Sequence, residues 1–305
     1  TAGGVPNPVS PSNPIRLNPL QLTIDKHYRL PPAGISRLAR AGRMGYRTGR
    51  MQTANPWFKP LVLLALAACL AAIPAPAADN VAPPGFIALF NGRDLTGWQV
   101  PAGDNGHWKV VEGAIDYDAR SEAPGDKNLW TEREFGDFVL HLDWRIKETP
   151  YINPRVPYIL PDGTHARDTQ GKELQLALPD SDSGIFLRGQ GKYQVNIWCW
   201  PIGSGEMYGV RTDPRTPPEL RAAVTPRTQA DKPVGEWNHF EITVRGNTVS
   251  VVLNGKTVLP GATLPDLPRR GRLALQHHGA EREGQWTSPP SLLQFKNIYI
   301  KELEP

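Results

Sequence analysis

The stretch NHFEITVRGNTVSVVLNGKTVL, residues 238–259, decides the fold. Apolar and polar residues alternate from Phe240 to Val244 and again from Val249 to Leu253. A period of two is typical of a β-strand with one buried face. Asn254-Gly255 is a strong signal for a tight hairpin, because both residues tolerate a positive φ. The stretch therefore predicts three antiparallel strands joined by two short turns.

Further strands are predicted on both sides of this stretch. The segment DFVLHLDWRI (137–146) alternates throughout, and GRLALQHH (271–278) and LLQFKNIYIKEL (292–303) are also strand-like. The alternation slips between Phe295 and Ile298, which predicts a β-bulge. Many strands with one polar side favour an all-β fold, an antiparallel β-sandwich.

Helices and long loops are predicted only between these strands. The segment 218–224 begins with a proline and is expected to form about two helical turns. Two proline-rich segments, 147–182 and 210–235, are predicted to be long loops. The expected architecture is thus a β-sandwich with long Pro-rich loops.

Charge is divided unevenly along the chain. Residues 1–50 carry +7 and residues 51–78 carry +1, so that of the total of +4 the remainder, 79–305, carries −4. A mildly acidic body argues against nucleic acid as the main partner. Residues 1–50 lack apolar periodicity and are predicted to be a disordered extension upstream of the true start.

The segment 51–78 has the features of a bacterial signal peptide. Lys59 precedes an apolar core at 61–73, and Ala75 and Ala77 form a small-x-small cleavage site. The core is too short for a transmembrane helix, which needs about 20 apolar residues. The alternative is a lipobox that ends at Cys69, with a lipid anchor on that residue. The sequence therefore predicts a single sandwich domain at 79–305, either periplasmic or secreted, or else anchored to a membrane as a lipoprotein.

Candidate site residues concentrate in YQVNIWCWPIGSGEMYG, residues 193–209. A period of two places on one face Tyr193, Val195, Ile197 and Cys199, and on the other Gln194, Asn196, Trp198 and Trp200. Indole rings stack on the apolar face of a sugar, and amides bond its hydroxyls. We therefore expect Trp198 and Trp200 to be partly exposed in a sugar-binding groove. The alternative is that both indoles pack beneath the long loops.

Other candidates lie on neighbouring segments. In LALQHHG the leucines are predicted to point inward with His277, so Gln276 and His278 point outward. Glu206 and Tyr208 follow the tryptophans on a glycine-rich loop, and Arg188 ends SGIFLRG. The sequence has no Walker loop, GxSxG, GxGxxG, HExxH or zinc-like spacing. No cofactor is indicated, and a divalent metal at the site remains an open alternative.

Several motifs together resemble the 3-keto-disaccharide hydrolase domain family, whose members are similar to 3-keto-glucoside lyases and hydratases. They cover about 85–302: GFIALFNGRDLTGWQV (85–100), HWKVVEGAIDY (107–117), DSGIFLRG (182–189), GSGEMYG (203–209), GEWNHFEITVRG (235–246), VVLNGKTV (251–258), LALQHHG (273–279) and LLQFKNIYIKEL. The resemblance implies an exported jelly-roll sandwich of the concanavalin A-like or laminin G-like kind. It also implies cleavage of glycosides oxidised at C3, by hydrolysis or by elimination and hydration. Many members have Glu-x-Gln and a following Asp where this chain has Gln194, Asn196 and Cys199.

Chemistry suggests roles for the candidates. A ketone at C3 acidifies the proton at C2, so a base can remove it while an acid protonates the group that leaves C1. His278 is the expected base and Glu206 the acid, or the reverse, with Arg188 stabilising charge on the C3 oxygen. The expected substrate-binding residues are Gln194, Asn196, Trp198, Trp200, Tyr208 and Gln276. A non-catalytic carbohydrate-binding module and a surface interaction domain are the alternative functions, because a sandwich fold alone fixes no function.

Overall fold

The computed structural model describes residues 79–304. The predicted extension (1–50), the signal peptide (51–78) and the lipid-anchor residue Cys69 lie outside the described residues. Within them are seventeen strands, β1 (Ile87–Ala88), β2 (Trp98–Gln99), β3 (Lys109–Val111), β4 (Ala114–Asp116), β5 (Leu129–Phe135), β6 (Phe138–Ile146), β7 (Tyr151–Pro157), β8 (Gln175–Asp180), β9 (Asp182–Leu187), β10 (Gln190–Trp198), β11 (Asn238–Arg245), β12 (Thr248–Leu253), β13 (Lys256–Thr263), β14 (Gly271–Leu275), β15 (Glu281–Arg282), β16 (Gln285–Trp286) and β17 (Leu293–Glu302). Two short helices, α1 (Tyr208–Arg211) and α2 (Pro218–Ala223), complete the set. Neither helix is long and apolar enough to cross a membrane.

The strands form two main antiparallel sheets. The larger has the order β13-β12-β11-β6-β17-β4-β3, with β1 paired to β17, and the smaller has the order β10-β9-β14-β5-β2. Two hairpin ribbons, β7–β8 and β15–β16, stand apart from both sheets. The predicted class, an antiparallel jelly-roll β-sandwich, is confirmed.

The core fills the space between the two sheets. Alternate residues of β6 are buried and those between them are half-buried, as the sequence pattern predicts. They pack in one cluster with the inward residues of the small sheet, among them Leu129, Ile185, Leu187, Val195, Ile197, Leu273 and Leu275. Since the core takes the inner faces, any surface for a ligand must lie on an outer face or in the loops.

Local signals in the large sheet are also confirmed. Asn254 and Gly255 have φ of 51° and 75° and join β12 to β13. The register of β17 against β6 shifts between Lys296 and Tyr299, where Asn297 has a φ of 53°. That irregularity is the predicted bulge.

Candidate active site

Strand β10 divides its side chains between two faces as predicted. Tyr193, Val195 and Ile197 belong to the core, and Cys199 packs against it. Burial raises the pKa of the Cys199 thiol to about 12. The other face carries Gln194, Asn196 and Trp198, which are only 6%, 2% and 2% exposed. The predicted register is confirmed, but the prediction that Trp198 is partly exposed is wrong.

The burial of Trp198 has a local cause. Its ring is stacked on Trp200, with centroids 3.9 Å apart and 7° between the planes, and Tyr208 meets it edge-on at 5.9 Å. Its Nε1 donates to the carbonyl of Gly203 at 2.7 Å. Trp200 is half-buried, and its Nε1 donates to Asp180 Oδ2 at 2.9 Å. Trp200 is therefore the outer plate of the stack, and Trp198 supports it.

A row of amides forms the floor beside the stacked rings. Gln194 Nε2 lies 2.6 Å from Gln276 Oε1, 2.5 Å from Asn196 Oδ1 and 3.1 Å from the carbonyl of Ser183. Gly184 lies beneath this row, where a Cβ would be 2.4 Å from Gln194 Nε2. Asn196 Nδ2 is buried without a partner among the described residues. The row thus presents fixed amide groups next to a half-buried Gln276.

His278 follows the floor at the end of β14. Its Nδ1 lies 2.6 Å from the carbonyl oxygen of Pro289, which can only accept, so Nδ1 carries the hydrogen. The backbone N–H of His278 donates to Ser291 Oγ at 2.6 Å. In the neutral ring Nε2 is then the unprotonated nitrogen, and the imidazole is half-buried. The predicted outward direction of His278 agrees with these contacts.

Asp182, a residue that the sequence analysis did not single out, lies beside His278. It pairs with Trp198 across β9 and β10, and Ser291 Oγ donates to its carbonyl at 2.7 Å. The residue is half-buried, but its Oδ1 is buried and has no hydrogen-bond partner among the described residues. Burial raises the pKa of Asp182 to about 7, the charge of His278 opposes that rise, and Asp180 adds to it. A carboxyl group that titrates near neutral pH beside an imidazole is a typical acid–base pair.

Tyr208 is the most exposed of the predicted site residues. It is 42% exposed and begins α1, next to the stacked indoles. Burial of the hydroxyl raises its pKa, and the charge of Asp182 adds to this. Tyr208 therefore borders the same site as Asp182.

Glu206 requires a correction. It lies opposite Asn196, since the two backbones are hydrogen-bonded at 2.9 Å, but its side chain is fully buried. One carboxylate oxygen forms an ion pair with Arg211 and the other has no partner among the described residues. Since no part of the carboxylate reaches the surface, we assign Glu206 to the wall of the site and not to the acid.

Arg188 also requires a correction. Its guanidinium is buried and donates to the carbonyl oxygens of Gly136, Gly246 and Pro268 and to the carboxylate of Asp137, at 2.6 to 2.9 Å. These contacts use all five N–H groups of the side chain. Arg188 holds three loops together at the far end of β9 and has no donor left for a substrate oxygen.

His277 points away from the outer face, as predicted. Its Nδ1 lies 2.6 Å from the hydroxyl of Tyr117, and burial lowers the pKa of the imidazole to about 4. Tyr117 is itself stacked on Trp108. His277 is thus a neutral structural residue at physiological pH.

The site accordingly lies on the outer face of the small sheet. It gathers six of the predicted residues, Gln194, Asn196, Trp198, Trp200, Gln276 and His278, with Tyr208 at its border and Asp182 added. Within residues 79–304 no group of three or more His, Cys, Asp and Glu is arranged to hold a metal ion.

Comparison with known families agrees with the motifs noted in the sequence. The model of a family described as the 3-keto-alpha-glucoside-1,2-lyase-like domain matches residues 85–301. That match includes both sheets and every residue of the candidate site. No curated protein sequence matches the chain significantly.

Several solved structures align with most of the chain. A candidate glycosyl hydrolase from Parabacteroides distasonis is 19% identical with a TM-score of 0.47, over 74% of this chain and all of that one. A second one from the same organism is 22% identical with a TM-score of 0.46, over 75% of this chain and 93% of that one. The carbohydrate-binding module CBM66 from Bacillus subtilis is 13% identical with a TM-score of 0.35, over 68% of this chain and 96% of that one. At these values the similarity bears on neither substrate nor mechanism.

Proposed function

The chain belongs to the family of 3-keto-alpha-glucoside-1,2-lyase-like domains, and from that premise we propose that this carbohydrate-active domain cleaves glycosides whose C3 is a ketone. The proposed reaction is elimination of the C1 substituent across C1 and C2. Water then adds to the double bond, so the net result is hydrolysis. The observation that carries the proposal is that His278, whose Nδ1 is held by Pro289 so that Nε2 is the free nitrogen of the neutral ring, lies close to Asp182, whose pKa is about 7.

The proposed first step is removal of the proton at C2. His278 Nε2 takes this proton, and the electron pair of the C2–H bond moves into the ketone to give an enolate at C3. The hydrogen bond from Nδ1 to Pro289 holds the ring and stabilises the cation that forms. A neutral imidazole is a base of suitable strength near neutral pH.

The second step is loss of the group at C1. The enolate electrons return, C3=O is restored, a C1=C2 double bond forms and the C1–O bond breaks. Asp182 gives its proton to the departing oxygen, which it can do because burial keeps much of the carboxyl protonated near pH 7. Water then adds to the double bond: its OH bonds to C1, its other proton goes to the Asp182 carboxylate, and His278 returns its proton to C2, which yields the free 3-keto sugar and restores both residues.

The remaining residues are proposed to hold the sugar. Trp200 offers a half-buried ring face, and Gln276 offers an amide that Gln194 fixes from below. Trp200 and Gln276 are both held by hydrogen bonds, so their side chains lose little conformational freedom when the sugar binds. Trp198 and Asn196 act from beneath as positioning residues.

Matched substrates test this proposal. We expect the purified protein to release the aglycone from a 3-keto glucoside and not from the unoxidised glucoside, and to exchange the C2 hydrogen with D2O. His278→Gln and Asp182→Asn should each lower kcat by roughly 100- to 10,000-fold, the usual contribution of general acid–base catalysis. His239→Gln, on the outer face of the large sheet, is the control and should retain full activity.

Two outcomes would contradict the proposal. Full activity in His278→Gln would show that His278 is not the base. Binding of the glycoside without any cleavage by the parent protein would favour a carbohydrate-binding module instead, for which the stacked indoles are equally suited.

A further inference from the structure

A second feature lies next to the candidate site and takes no part in the chemistry above. It is a depression of about 430 Å³ between the tip of the β7–β8 ribbon and the two helices. Three arginines line it, Arg167 from the ribbon, Arg211 from α1 and Arg221 from α2. The carboxylates of Glu173 and Asp213 also line the depression, so three guanidinium groups face two acids.

Arg211 is fixed in place at the bottom of the depression. It is 4% exposed, and its Nε contacts Glu206 in the ion pair described above. Its Nη1 lies 3.1 Å from His165 Nε2 and 3.3 Å from the carbonyl of Gly163. Nη2 has no hydrogen-bond partner among the described residues, so its two donors remain for a ligand.

His165 is held by a carboxylate on its other side. Its Nδ1 lies 3.0 Å from Glu173 Oε2, and Glu173 Oε1 also accepts from Arg167 Nη2 at 2.7 Å. With Nε2 facing the donor Nη1 of Arg211, the neutral ring carries its hydrogen on Nδ1. The neutral imidazole therefore orients Arg211, and its Nε2 carries no hydrogen that it could donate to a ligand in the depression.

Arg221 faces Arg211 with few contacts of its own. Its Nη2 donates to the carbonyl of Thr216 at 3.1 Å, and no ion pair involves it among residues 79–304. Burial and, to a smaller extent, the charge of Arg221 together lower the pKa of Arg211 to about 10. The repulsion between two facing guanidinium groups decreases when an anion lies between them.

None of the described acids nearby forms an ion pair with Arg221. Glu173 is shared by His165 and Arg167, and Glu206 is engaged by Arg211. Asp213 on the rim pairs with Arg215 and Lys192. Hydrogen bonds from Thr164 lower the pKa of Asp162 and the charge of Arg221 adds to this, but Asp162 forms no ion pair with Arg221. Among residues 79–304 the depression thus keeps an arginine without an ion-pair partner.

The depression and the site share helix α1. Tyr208 begins this helix beside Trp198 and Asp182, and Arg211 ends it in the depression. A four-residue helix is short, with a rise of about 1.5 Å per residue. A ligand group bound at Arg211 is therefore only a few ångströms beyond Tyr208.

We propose that this depression is an anion subsite, which binds a carboxylate, sulfate or phosphate group on the part of the substrate that leaves from C1. Arginine is suited to all three groups, because its planar N–H donors match paired oxygens. The assignment to the leaving group rests on the proposed function, whereas anion binding itself does not.

Direct binding tests the subsite without any catalysis. Calorimetric titration with sodium sulfate, sodium phosphate and sodium glucuronate, at matched ionic strength, distinguishes the three anions. Arg221→Gln and Arg167→Gln should each weaken binding roughly 10-fold or more, the usual size of one charge-assisted hydrogen bond. Arg133→Gln is the control, since Arg133 is an exposed arginine that pairs with Glu302 away from the depression. No saturable binding of any anion, or binding that both variants leave unchanged, overturns the subsite.

Cleavage kinetics test its place in the substrate. We compare kcat/KM for a 3-keto glucoside with an anionic aglycone with kcat/KM for the same glucoside with a neutral aglycone. The ratio of the first to the second should exceed one. It should fall in Arg221→Gln but not in Arg133→Gln. A ratio that Arg221→Gln leaves unchanged overturns the assignment to the leaving group. If no 3-keto glucoside is cleaved while anions still bind through Arg221, the proposed function fails and the anion subsite stands.

Discussion

The carboxyl group of Asp182 has one oxygen buried without a hydrogen-bond partner among the described residues, and it makes the fold less stable when it ionises. Burial raises its pKa from 3.8 to about 7, so the folded protein holds the proton more tightly than the unfolded chain. Below about pH 4 both states are protonated and the residue has no effect. As pH rises from about 4 to about 7 the unfolded chain ionises first, and the fold loses stability.

Asp182→Asn should therefore stabilise the protein at high pH only. We expect a gain on the order of 2 kcal/mol at about pH 8, discounted because the side chain is half-buried, and almost none at about pH 4. Thermal unfolding at the two pH values measures this, with a rise in Tm of roughly 4–8 °C at the higher one. Asp266→Asn removes the same charge from an exposed position and should change Tm little at either pH. An equal Tm for Asp182→Asn and the parent at about pH 8 would contradict the raised pKa.

For single residues, the sequence predicted the face to which a side chain points better than it predicted the burial and contacts of that side chain. The period of two put Gln194, Asn196 and His278 on the outer face, and the structure agrees. The same count from Phe186 places Asp182 there, so a signal existed. Its burial could not be predicted, because that depends on the segments before β9 and after β16. The contacts of Arg188 were equally hidden, since they join residues 51 to 80 positions apart.

At the scale of strands, the contact between β9 and β10 depends on a missing side chain. Gly184 lies under the amide of Gln194, and the Cβ of an alanine would be 2.4 Å from Nε2 and 2.6 Å from Cγ. The obstacle is space, because no positive φ is required there. An alanine would push Gln194 aside and break the row of amides.

A double-mutant cycle tests this packing. Gly184→Ala should cost about 1–3 kcal/mol, the usual range for overpacking. Gln194→Ala removes the obstacle, so the double variant should be more stable than the sum of the single effects by at least about 0.5 kcal/mol. Urea unfolding measures all three variants, and Gly191→Ala is the control because its Cβ would be 3.5 Å from Phe186, an ordinary contact. Additive effects would show that the two residues do not compete for space.

Strands and helices with a local sequence signal, such as alternation or a turn motif, were predictable, and those without such a signal were not. The strands of the large sheet, its hairpin and its bulge follow from alternation and from Asn-Gly. The predicted helix at 218–224 is observed at Pro218–Ala223. The prediction that 147–182 is only a loop is wrong, because β7 and β8 pair within it. Its prolines concealed the strands, and they are tolerated because a two-stranded ribbon leaves edge positions without hydrogen bonds.

At the scale of the whole molecule, the beginning of the described chain holds distant segments together. Asn80 and Asn297 exchange two hydrogen bonds of 2.7 and 2.9 Å, and Asn80 Nδ2 donates to the carbonyl of Gly113 at 2.8 Å. Asp79 also pairs with Lys296 at 2.7 Å. These contacts fix the bulge of β17, the strand that joins β6 to β4 in the large sheet.

This arrangement fits the cleavage site that the sequence predicts after Ala77. Removal of the segment up to that alanine, which we propose occurs during export, would keep both anchor residues, Asp79 and Asn80. Loss of three further residues would remove them. Sequencing of the N-terminus of the protein from its native host would identify the processing point.

The last prediction compares two truncated chains. A chain of residues 79–305 should unfold cooperatively in urea. A chain of residues 81–305 should be less stable by roughly 2–4 kcal/mol, because it loses the five hydrogen bonds of Asp79 and Asn80 and leaves polar groups at the bulge unpaired. Asn80→Ala in the longer chain removes the two hydrogen bonds of the Asn80 side chain and keeps the one from its backbone N–H, so it should reproduce part of that loss and separate the anchor from the effect of chain length. Asn91→Ala is the matched control, since Asn91 bonds only within its own exposed turn. Equal unfolding midpoints for the two chains would show that β17 keeps its bulge without help from Asn80.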